Sequence, residues 1–376
     1  MVPRGWAFGR VVDLRDMKGM MKGLVISGGK GSRLRPLTYT GAKQLVPIAN
    51  KPVLFYAIEH LVDAGIRDIT IIVSVETGDQ VRREAGDGGR FGADISYITQ
   101  LEPGGIAQAI GIARDAMGDA PFVTFLGDNF LTHGIVPFVQ AFAASSDDAA
   151  ILLKQVPDAR SFGVAEFDGE RLVRVVEKPQ FPPSDLAVIG IYLFTSRVFE
   201  AISNIQPSAR GELEITDTIQ WLLDHGDKVR AEVVDGEWID TGKHDDLLAA
   251  NRIVLESLRD DRAGGAVDEA SRLHGRVVLQ AGCEIINSVI SGPAIIGERT
   301  RIENAYVGPF TSIDRDCTVA ESEIAGSVVL EGTTIRRLGH RIEQSLIGRN
   351  VELMGDDRKP RGYQLILGDF SSVRVP

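Results

Sequence analysis

The sequence predicts an α/β domain with a largely parallel sheet, followed by a short β-helix solenoid. Apolar strand-like segments alternate with helical segments from Lys22 to about Leu258, and this alternation is typical of a sheet covered by helices on both faces. Beyond Ser271, aliphatic residues recur at six-residue spacing among Gly, Asn, Ser and Thr. This is the repeat of a β-helix in which each short strand turns one aliphatic side chain inward.

The composition excludes several classes of protein. The chain has 376 residues, and its 41 Lys and Arg against 52 Asp and Glu give a net charge of −11, which argues against a nucleic-acid binder with a basic face. No apolar run approaches the ~20 residues that span a bilayer, and the N-terminus lacks an apolar signal-peptide core. Cys283 and Cys317 are too few for a disulfide framework. We expect a soluble, cytoplasmic protein that binds neither nucleic acid nor membrane.

The elements of the α/β domain follow from apolar periodicity. Strands are expected where β-branched and apolar runs end on Gly or polar residues, at residues 23–29, 68–75, 95–98, 121–129, 150–154, 172–176 and 188–194. Helices are expected where apolar residues recur at helical spacing, at residues 54–65, 105–117 and 215–225 and through Leu248 and Leu255.

The repeat region shows eight aliphatic residues in three phased runs, namely Ile290, Ile296 and Ile302, then Val307, Ile313 and Val319, then Ile324 and Leu330. The spacing slips by one residue between runs, so the coil is expected to be irregular and to have about four turns. A β-sandwich with accidental spacing is the disfavoured alternative, and residues 358–375 are expected to form a closing strand pair. The predicted organisation is an extension at 1–20, a domain at 21–258, a linker at 259–271 and the β-helix at 272–376.

A Gly-rich turn follows the first strand, at residues 28–36. Glycines let consecutive backbone N–H groups approach a phosphate and form an anion nest. Lys30, Arg33, Arg35 and, ten residues after Arg33, Lys43 add positive charge. Neither the G-x-G-x-x-G fingerprint nor the Walker pattern is present. The turn therefore predicts a phosphate site of another type.

Polar residues at the ends of predicted strands are further candidates, because open α/β sheets bind ligands at the carboxyl ends of their strands. Gln100 offers an amide that suits a pyrimidine edge, and Asp128 and Asp240 offer carboxylates that suit Mg²⁺. Glu177 and Lys178 could contact a sugar and its phosphate. The alternatives are an exposed polar group for Gln100, a helix N-cap for Asp128 and a solvated charge pair for Glu177 and Lys178. The histidines show no metal-binding spacing.

The sequence resembles the signature of the sugar-1-phosphate nucleotidylyltransferases in three segments. They are residues 28–36, the Lys43–Gln44–Leu45–Val46–Pro47 run and the Lys51–Pro52 pair. Within that family the chain is most similar to the long-form glucose-1-phosphate thymidylyltransferases, and the resemblance covers residues 21–376. It implies a Rossmann-like mixed sheet nucleotidyltransferase domain followed by a left-handed β-helix. It also implies Mg²⁺-dependent, in-line transfer of a nucleotidyl group from dTTP to α-D-glucose 1-phosphate, which yields dTDP-glucose and pyrophosphate.

The resemblance assigns roles residue by residue. The catalytic residues would be Arg33 on the leaving pyrophosphate, Lys43 at the nucleotide phosphates, Asp128, and Lys178 on the nucleophile. Asp128 and Asp240 would hold one Mg²⁺. The nucleotide-binding residues would be Gly28, Gly29, Gly31, Ser32, Arg33, Lys43, Gln44, Gln100, Gly105 and Asp128. The sugar-phosphate-binding residues would be Gly163, Glu177, Lys178, Gly190, Tyr192, Arg210 and Trp238. Phe162 stands where short-form relatives have Tyr, so one hydroxyl contact to the sugar is in doubt.

Three other functions remain open from the sequence. A uridylyltransferase shares much of this pattern, and a uracil edge also fits Gln100. N-acetyl transfer on a longer solenoid occurs in some relatives, but no histidine lies between His274 and His340, which disfavours it. A catalytically silent nucleotide-sugar-binding or scaffold relative would tend to lose one of the charged residues that this chain keeps. A homo-oligomer through the solenoid or the sugar lobe is expected.

Overall fold

The computed structural model describes residues 21–29, 31–356 and 363–374. The predicted extension at 1–20 and Lys30 lie outside these residues. The described chain forms two compact units. The first unit contains residues 21–29 and 54–239, and the second unit contains residues 31–53 and 240–356 with 363–374.

The strands up to residue 240 are β1 (Lys22–Ser27), β2 (Pro47–Ile48), β3 (Lys51–Pro52), β4 (Asp68–Ser74), β5 (Asp94–Gln100), β6 (Phe122–Leu126), β7 (Asn129–Leu131), β8 (Ala149–Gln155), β9 (Gly163–Asp168), β10 (Arg171–Glu177), β11 (Leu186–Phe194), β12 (Val229–Val233) and β13 (Trp238–Asp240). The α-helices are α1 (Val53–Asp63), α2 (Gly78–Ala85), α3 (Ile106–Gly111), α4 (Arg114–Met117), α5 (Val136–Ala143), α6 (Arg197–Asn204), α7 (Ile215–Asp224) and α8 (His244–Ser257). Short 3-10 helices form at Ser32–Leu34, Lys43–Leu45 and Gly89–Phe91.

The first unit is built on a mixed sheet of nine strands, counted among the described residues, in the order β10-β9-β11-β6-β1-β4-β5 with β8 on β11 and β12 on β8. Strands β6, β1, β4 and β5 run parallel, and β11 is antiparallel to β6. Leu24, Val25 and Ile71 in the centre of the sheet have no exposed surface, as expected for strands covered on both faces. The predicted mixed α/β sheet is confirmed.

The predicted helix at 105–117 is wrong in one respect, because the structure divides it into α3 and α4. Gly105 has a φ of 98° and precedes the helix. The Ala113 N–H bonds to the Ile110 carbonyl at 3.0 Å, a tighter turn than the α-helical pattern. Gly111 is a weak helix former at the break.

The second unit contains a left-handed β-helix of stacked parallel strands. Its strands are β14 (Ala266–Val267), β15 (Arg272–His274), β16 (Val277–Leu279), β17 (Glu284–Ile286), β18 (Val289–Ser291), β19 (Ala294–Ile296), β20 (Arg301–Glu303), β21 (Tyr306–Val307), β22 (Thr311–Ile313), β23 (Thr318–Ala320), β24 (Glu323–Ala325), β25 (Val328–Val329), β26 (Thr334–Arg336), β27 (Ile342–Glu343), β28 (Leu346–Ile347) and β29 (Glu352–Met354).

The register of the β-helix explains the slip in the repeat. Ile290 aligns with Val307, and Val307 aligns with Ile324, so each of these coils has 17 residues rather than three sixes. Val329, not the expected Leu330, aligns with Ile313, although Leu330 is also buried. Two of the three sheets have five strands, so the described residues form five coils instead of about four.

The expected strand pair at 358–375 is wrong for the described part of this segment, since no strand forms among residues 363–374. Residues 358–362 and 375 lie outside the described residues. Its apolar side chains lie largely exposed, and Ile366 is 95% exposed. Without burial or a paired ladder, nothing repays the entropy of ordering these residues as strands. Among the described helices, none is both long and apolar enough to cross a membrane.

Candidate active site

Three strands of the first unit end on candidate residues at one edge of the sheet. Parallel strands β1, β5 and β6 run into Gly28, Gln100 and Asp128. A Cβ added at residue 28 would lie 3.0 Å from Gln100 Oε1. The buried Gln100 also donates from Nε2 to Gln108 Oε1 at 2.5 Å. Gln100 is thus a fixed, buried amide beside a glycine backbone, not an exposed polar group.

Asp128 begins a chain of two side-chain hydrogen bonds that leads through Asn129 to the ring of Trp238. It is 8% exposed, and Asn129 Nδ2 donates to Asp128 Oδ1 at 3.2 Å. Trp238 Nε1 donates to Asn129 Oδ1 at 2.6 Å. The Trp238 and Phe162 rings make an edge-to-face contact, with their centroids 5.2 Å apart. Strand β7 rather than a helix follows Asp128, so the helix N-cap alternative is wrong.

A charged cluster, which we call the sugar-side cluster, contains Glu177, Lys178, Arg210, Glu214 and Thr216. Glu177 contacts Lys178 Nζ at 3.3 Å and Arg210 Nη2 at 3.0 Å, and it accepts from Thr216 Oγ1 at 3.1 Å. Arg210 Nη2 also donates to the buried Glu214 at 2.8 Å. The sequence-predicted Glu177, Lys178 and Arg210 are therefore brought together.

The backbone of Lys178 and the charge of Arg210 distinguish this cluster. Lys178 has a φ of 40°, a left-handed conformation that costs a non-glycine residue free energy and often marks a functional site. Burial lowers the pKa of Arg210, but the hydrogen bond and charge of Glu214, with the charges of Glu177 and Glu212, outweigh it and raise that pKa overall. Arg210 therefore remains a permanent cation among carboxylates.

At several other predicted positions of the first unit, close packing explains which residue is present. A Cβ at Gly190 would lie 2.4 Å from the Leu126 side chain, and one at Gly163 would lie 2.6 Å from Thr216 Cγ2. At Gly105 it would meet the Leu213 carbonyl oxygen at 2.4 Å. Tyr192 is buried on β11, and burial followed by the charge of Glu177 raises its pKa. Close packing therefore accounts for the three glycines, and burial accounts for Tyr192.

The second unit holds the other predicted group, in the loop that continues from the glycine-rich turn. Gly29, which closes the first unit's segment, has a φ of 103°, and Gly31 has a φ of 57°. Thr38 Oγ1 donates to the Gly31 carbonyl at 2.6 Å, and a Cβ at Gly31 would lie 3.0 Å from Lys43 Cβ. Ser32 begins one 3-10 helix, and Lys43 and the buried Gln44 lie in another. The loop thus takes its form from its backbone.

Arg33 and Asp240 approach each other within the second unit. Arg33 Nη2 lies 3.6 Å from Asp240 Oδ2, and the Arg33 side chain is 58% exposed. A Cβ at Gly242 would lie 2.7 Å from Arg33 Nη2, so the glycine makes room for the guanidinium. Asp246 faces the same charge, and burial chiefly raises its pKa, with Asp245 raising it and Lys243 and Arg33 lowering it.

The predicted site residues thus fall into two groups, one in each compact unit. The structure adds Gln108, Asn129 and Glu214, which the sequence did not single out. Gln108 lies on the helix that follows the Gly104–Gly105 turn, and Asn129 directly follows Asp128, so proximity in sequence could have indicated both. Glu214 shows no sequence signal, because its importance comes from its buried contact with Arg210.

Comparison with known proteins identifies the family of the chain. The family model described as nucleotidyl transferase matches residues 22–257. The chain is 49% identical over 356 residues to glucose-1-phosphate thymidylyltransferase from Streptomyces griseus, covering 94% of this chain and 99% of that relative. It is 43% identical to the low-salt glycan biosynthesis nucleotidyltransferase of Haloferax volcanii, covering 94% and 100%.

Among solved structures, one from Bacillus anthracis in complex with a sucrose, named for glucose-1-phosphate thymidylyltransferase, is 39% identical with a TM-score of 0.60. It covers 64% of this chain and 98% of its own. A UDP-glucose pyrophosphorylase complexed with UDP-glucose shares the fold at 23% identity, with a TM-score of 0.58, over 64% of this chain and 100% of its own. Because the family model matches more than half of this chain, the chain belongs to the nucleotidyl transferase family.

Proposed function

We propose that the protein transfers a thymidylyl group from dTTP to α-D-glucose 1-phosphate, which gives dTDP-glucose and pyrophosphate. The observation that carries the proposal is the common edge at which strands β1, β5 and β6 end on Gly28, Gln100 and Asp128. An open α/β sheet binds its ligand at that edge. The relatives from Streptomyces griseus and Streptomyces antibioticus, at 49% and 48% identity over 94% of the chain, support this substrate pair.

The reaction needs no covalent enzyme intermediate, because the sugar phosphate is already a nucleophile. A phosphate oxygen of glucose 1-phosphate attacks the α-phosphorus of dTTP in line. The new O–P bond forms as the bond to pyrophosphate breaks, and the electron pair leaves with pyrophosphate. Catalysis then rests on positioning and on charge neutralisation. Lys178 would align the attacking phosphate, Lys43 would hold the nucleotide phosphates, and Arg33 would stabilise the leaving pyrophosphate.

Mg²⁺ is the proposed cofactor, and two aspartates are its proposed ligands. Asp128 and Asp240 supply carboxylate oxygens, the ligands that Mg²⁺ prefers together with phosphate oxygens and water. In the part of the chain that the structure describes, no three acidic, His or Cys side chains form a group that could hold a metal ion. When bound, the ion would supply positive charge to the phosphates. Either carboxylate can be tested alone.

The remaining assignments stay proposals of the same kind. We propose the catalytic domain at 21–258, the linker at 259–271 and the β-helix domain at 272–376. The stretch proposed as a linker contains β14, which pairs with β17. The proposed reaction implies a cytoplasmic enzyme, since nucleoside triphosphates are kept there. A homo-oligomer through the solenoid or sugar lobe is proposed, and size-exclusion chromatography of the full chain tests it.

The proposed function is tested by measuring pyrophosphate release with Mg²⁺ and glucose 1-phosphate, with dTTP, UTP, ATP, CTP and GTP offered separately. The expected result is strong preference for dTTP. Preference for UTP would retain the mechanism and replace the thymidylyl assignment with the uridylyl alternative. A third outcome is that none of the five nucleoside triphosphates releases pyrophosphate, either with glucose 1-phosphate or with a panel of other hexose 1-phosphates. That outcome would support a silent nucleotide-sugar-binding relative.

A further inference from the structure

The loop that carries Lys43 and Gln44 continues directly into a tight hairpin. The 3-10 helix Lys43–Leu45 is followed by β2, which pairs with β3 through the two-residue turn Ala49–Asn50. Both turn residues have positive φ, 48° at Ala49 and 61° at Asn50. Two-residue turns of this type favour Asn and Gly, so Ala at the first position is held in a costly conformation. Contacts from outside the hairpin must therefore fix it.

Those contacts come from α8 and from the β-helix, all within the second unit. Asn251 on α8 is 1% exposed, and its Oδ1 accepts the Ala49 N–H at 2.9 Å and the Ser312 hydroxyl at 2.7 Å. Its Nδ2 donates to the Phe310 carbonyl at 3.3 Å. One buried side-chain amide thus connects the hairpin to a coil of the β-helix and uses both acceptor lone pairs.

A second, independent contact joins the same two elements. Asn50 Nδ2 donates to the Ile313 carbonyl at 2.8 Å, which belongs to strand β22 of the β-helix. Beside Asn251, the Arg252 guanidinium lies 4.1 Å from the centre of the Phe310 ring and fixes α8 on the same coil. Both turn residues are therefore held by hydrogen bonds: Asn50 is bonded directly to the β-helix, and Ala49 is joined to it through Asn251.

We infer that Asn251 is a positioning residue for the nucleotide, and that the β-helix sets the place of the Lys43–Gln44 segment by holding the hairpin through Asn251 and Asn50. The inference rests on the proposed nucleotide role of Lys43 and Gln44. It gives the β-helix a direct role in the reaction, since a lysine displaced by a fraction of an ångström loses much of its effect on a phosphate. Asn251 acts through the hairpin and touches no reacting atom.

The test compares full-length Asn251→Ala and Asn50→Ala with wild type in initial-rate assays of pyrophosphate release. An unsatisfied or lost hydrogen bond at the hairpin is expected to raise the nucleotide KM about tenfold in Asn251→Ala and less in Asn50→Ala. The KM for glucose 1-phosphate should stay at the wild-type value. Asn50 is only half-buried, so Asn50→Ala keeps the test open if Asn251→Ala does not fold.

Thr300→Ala is the matched control. Thr300 is fully buried in the β-helix, where its Oγ1 donates to the Asp314 carbonyl and accepts the Cys317 N–H. The variant should lower the melting temperature without raising the nucleotide KM. The inference is overturned if folded Asn251→Ala and Asn50→Ala keep the wild-type nucleotide KM, or if Thr300→Ala raises it equally. The KM is measured with whichever triphosphate wild type accepts, so failure of the thymidylyl assignment is seen separately.

Discussion

The loop at residues 31–45 and the sugar-side cluster are built on opposite physical principles. The loop owes its shape to backbone: Gly31 holds a positive φ, Thr38 caps the Gly31 carbonyl, and 3-10 helices form at Ser32–Leu34 and Lys43–Leu45. The cluster owes its shape to long charged side chains, with Arg210 placed between Glu177 and Glu214. The comparison teaches that the loop should be most sensitive to an added methyl group, and the cluster to a lost charge.

The largest effect is expected at Asp128, which lies in neither region and is a proposed metal ligand. Asp128→Asn, which keeps the size of the side chain, should lower kcat/KM by about 10²–10³ through loss of charge stabilisation at the phosphates. Initial rates over a range of Mg²⁺ concentrations measure it, and added Mg²⁺ should recover part of the loss. The exposed Asp115 gives the control Asp115→Asn, which should match wild type. Near wild-type turnover in Asp128→Asn would refute the metal assignment.

A smaller effect distinguishes the cluster. Glu214→Gln keeps the shape but removes the charge that faces Arg210, so Arg210 should lose its fixed position. The KM for glucose 1-phosphate is expected to rise about tenfold, with the nucleotide KM unchanged. Two-substrate kinetics measure both values. Glu212→Gln is the control, since Glu212 lies farther from Arg210, at 3.6 Å, and is 43% exposed. Equal effects of the two substitutions would count against a special role for Glu214.

The loop should respond to a methyl group. Gly31→Ala places a Cβ 3.0 Å from Lys43 Cβ at a φ of 57°, and we expect the nucleotide KM to rise roughly threefold to tenfold as Lys43 is displaced. Gly92→Ala is the matched control, because Gly92 has a φ of 68° in the same left-handed region and open space around its Cβ position. Both variants should lose about 1 kcal/mol of stability from the strained φ. The contrary result is a nucleotide KM that stays constant in Gly31→Ala.

The smallest expected effect is a pH dependence in the second unit. Burial raises the pKa of Asp246, so the folded chain binds this proton more tightly than the unfolded chain. The stability contribution of Asp246 should therefore fall as pH rises from its ordinary pKa of about 3.9 through the raised folded value. Asp246→Asn should melt higher than wild type at neutral pH, with the difference shrinking in acid. Melting curves of Asp245→Asn provide the comparison, and an identical pH profile for both variants would argue against burial of Asp246 as the cause.

How far the sequence predicts the molecule depends on the range of the interactions. Local periodicity predicts seven of the nine strands of the mixed sheet, but it misses β9 and β12. It predicts α1, α7 and α8 and misses α2, α5 and α6. It also predicts the β-helix and the one-residue slip, which the structure explains as a 17-residue coil. The glycine-rich motif predicts the loop that holds Arg33 and Lys43. Glu214 was missed because its role depends on burial beside Arg210, although the two form an i,i+4 pair. Asn251 was missed because it contacts Ala49 and Ser312, some 200 and 60 residues away. The split of residues 105–117 falls beside Gly111, where an added Cβ would lie 3.3 Å from Ile202 Cγ2 of α6, a contact that the local sequence does not show.

The central claim is that the loop binds the nucleotide and the cluster binds the sugar phosphate. Substitution of one lysine in each region tests it most directly in a single measurement. Initial rates over a grid of dTTP and glucose 1-phosphate concentrations are compared for wild type, Lys43→Ala and Lys178→Ala. We predict that Lys43→Ala raises the KM for dTTP and leaves that for glucose 1-phosphate unchanged, and that Lys178→Ala does the reverse. If both variants change the same KM, or if neither KM moves, the assignment of the loop to the nucleotide and of the cluster to the sugar phosphate is wrong.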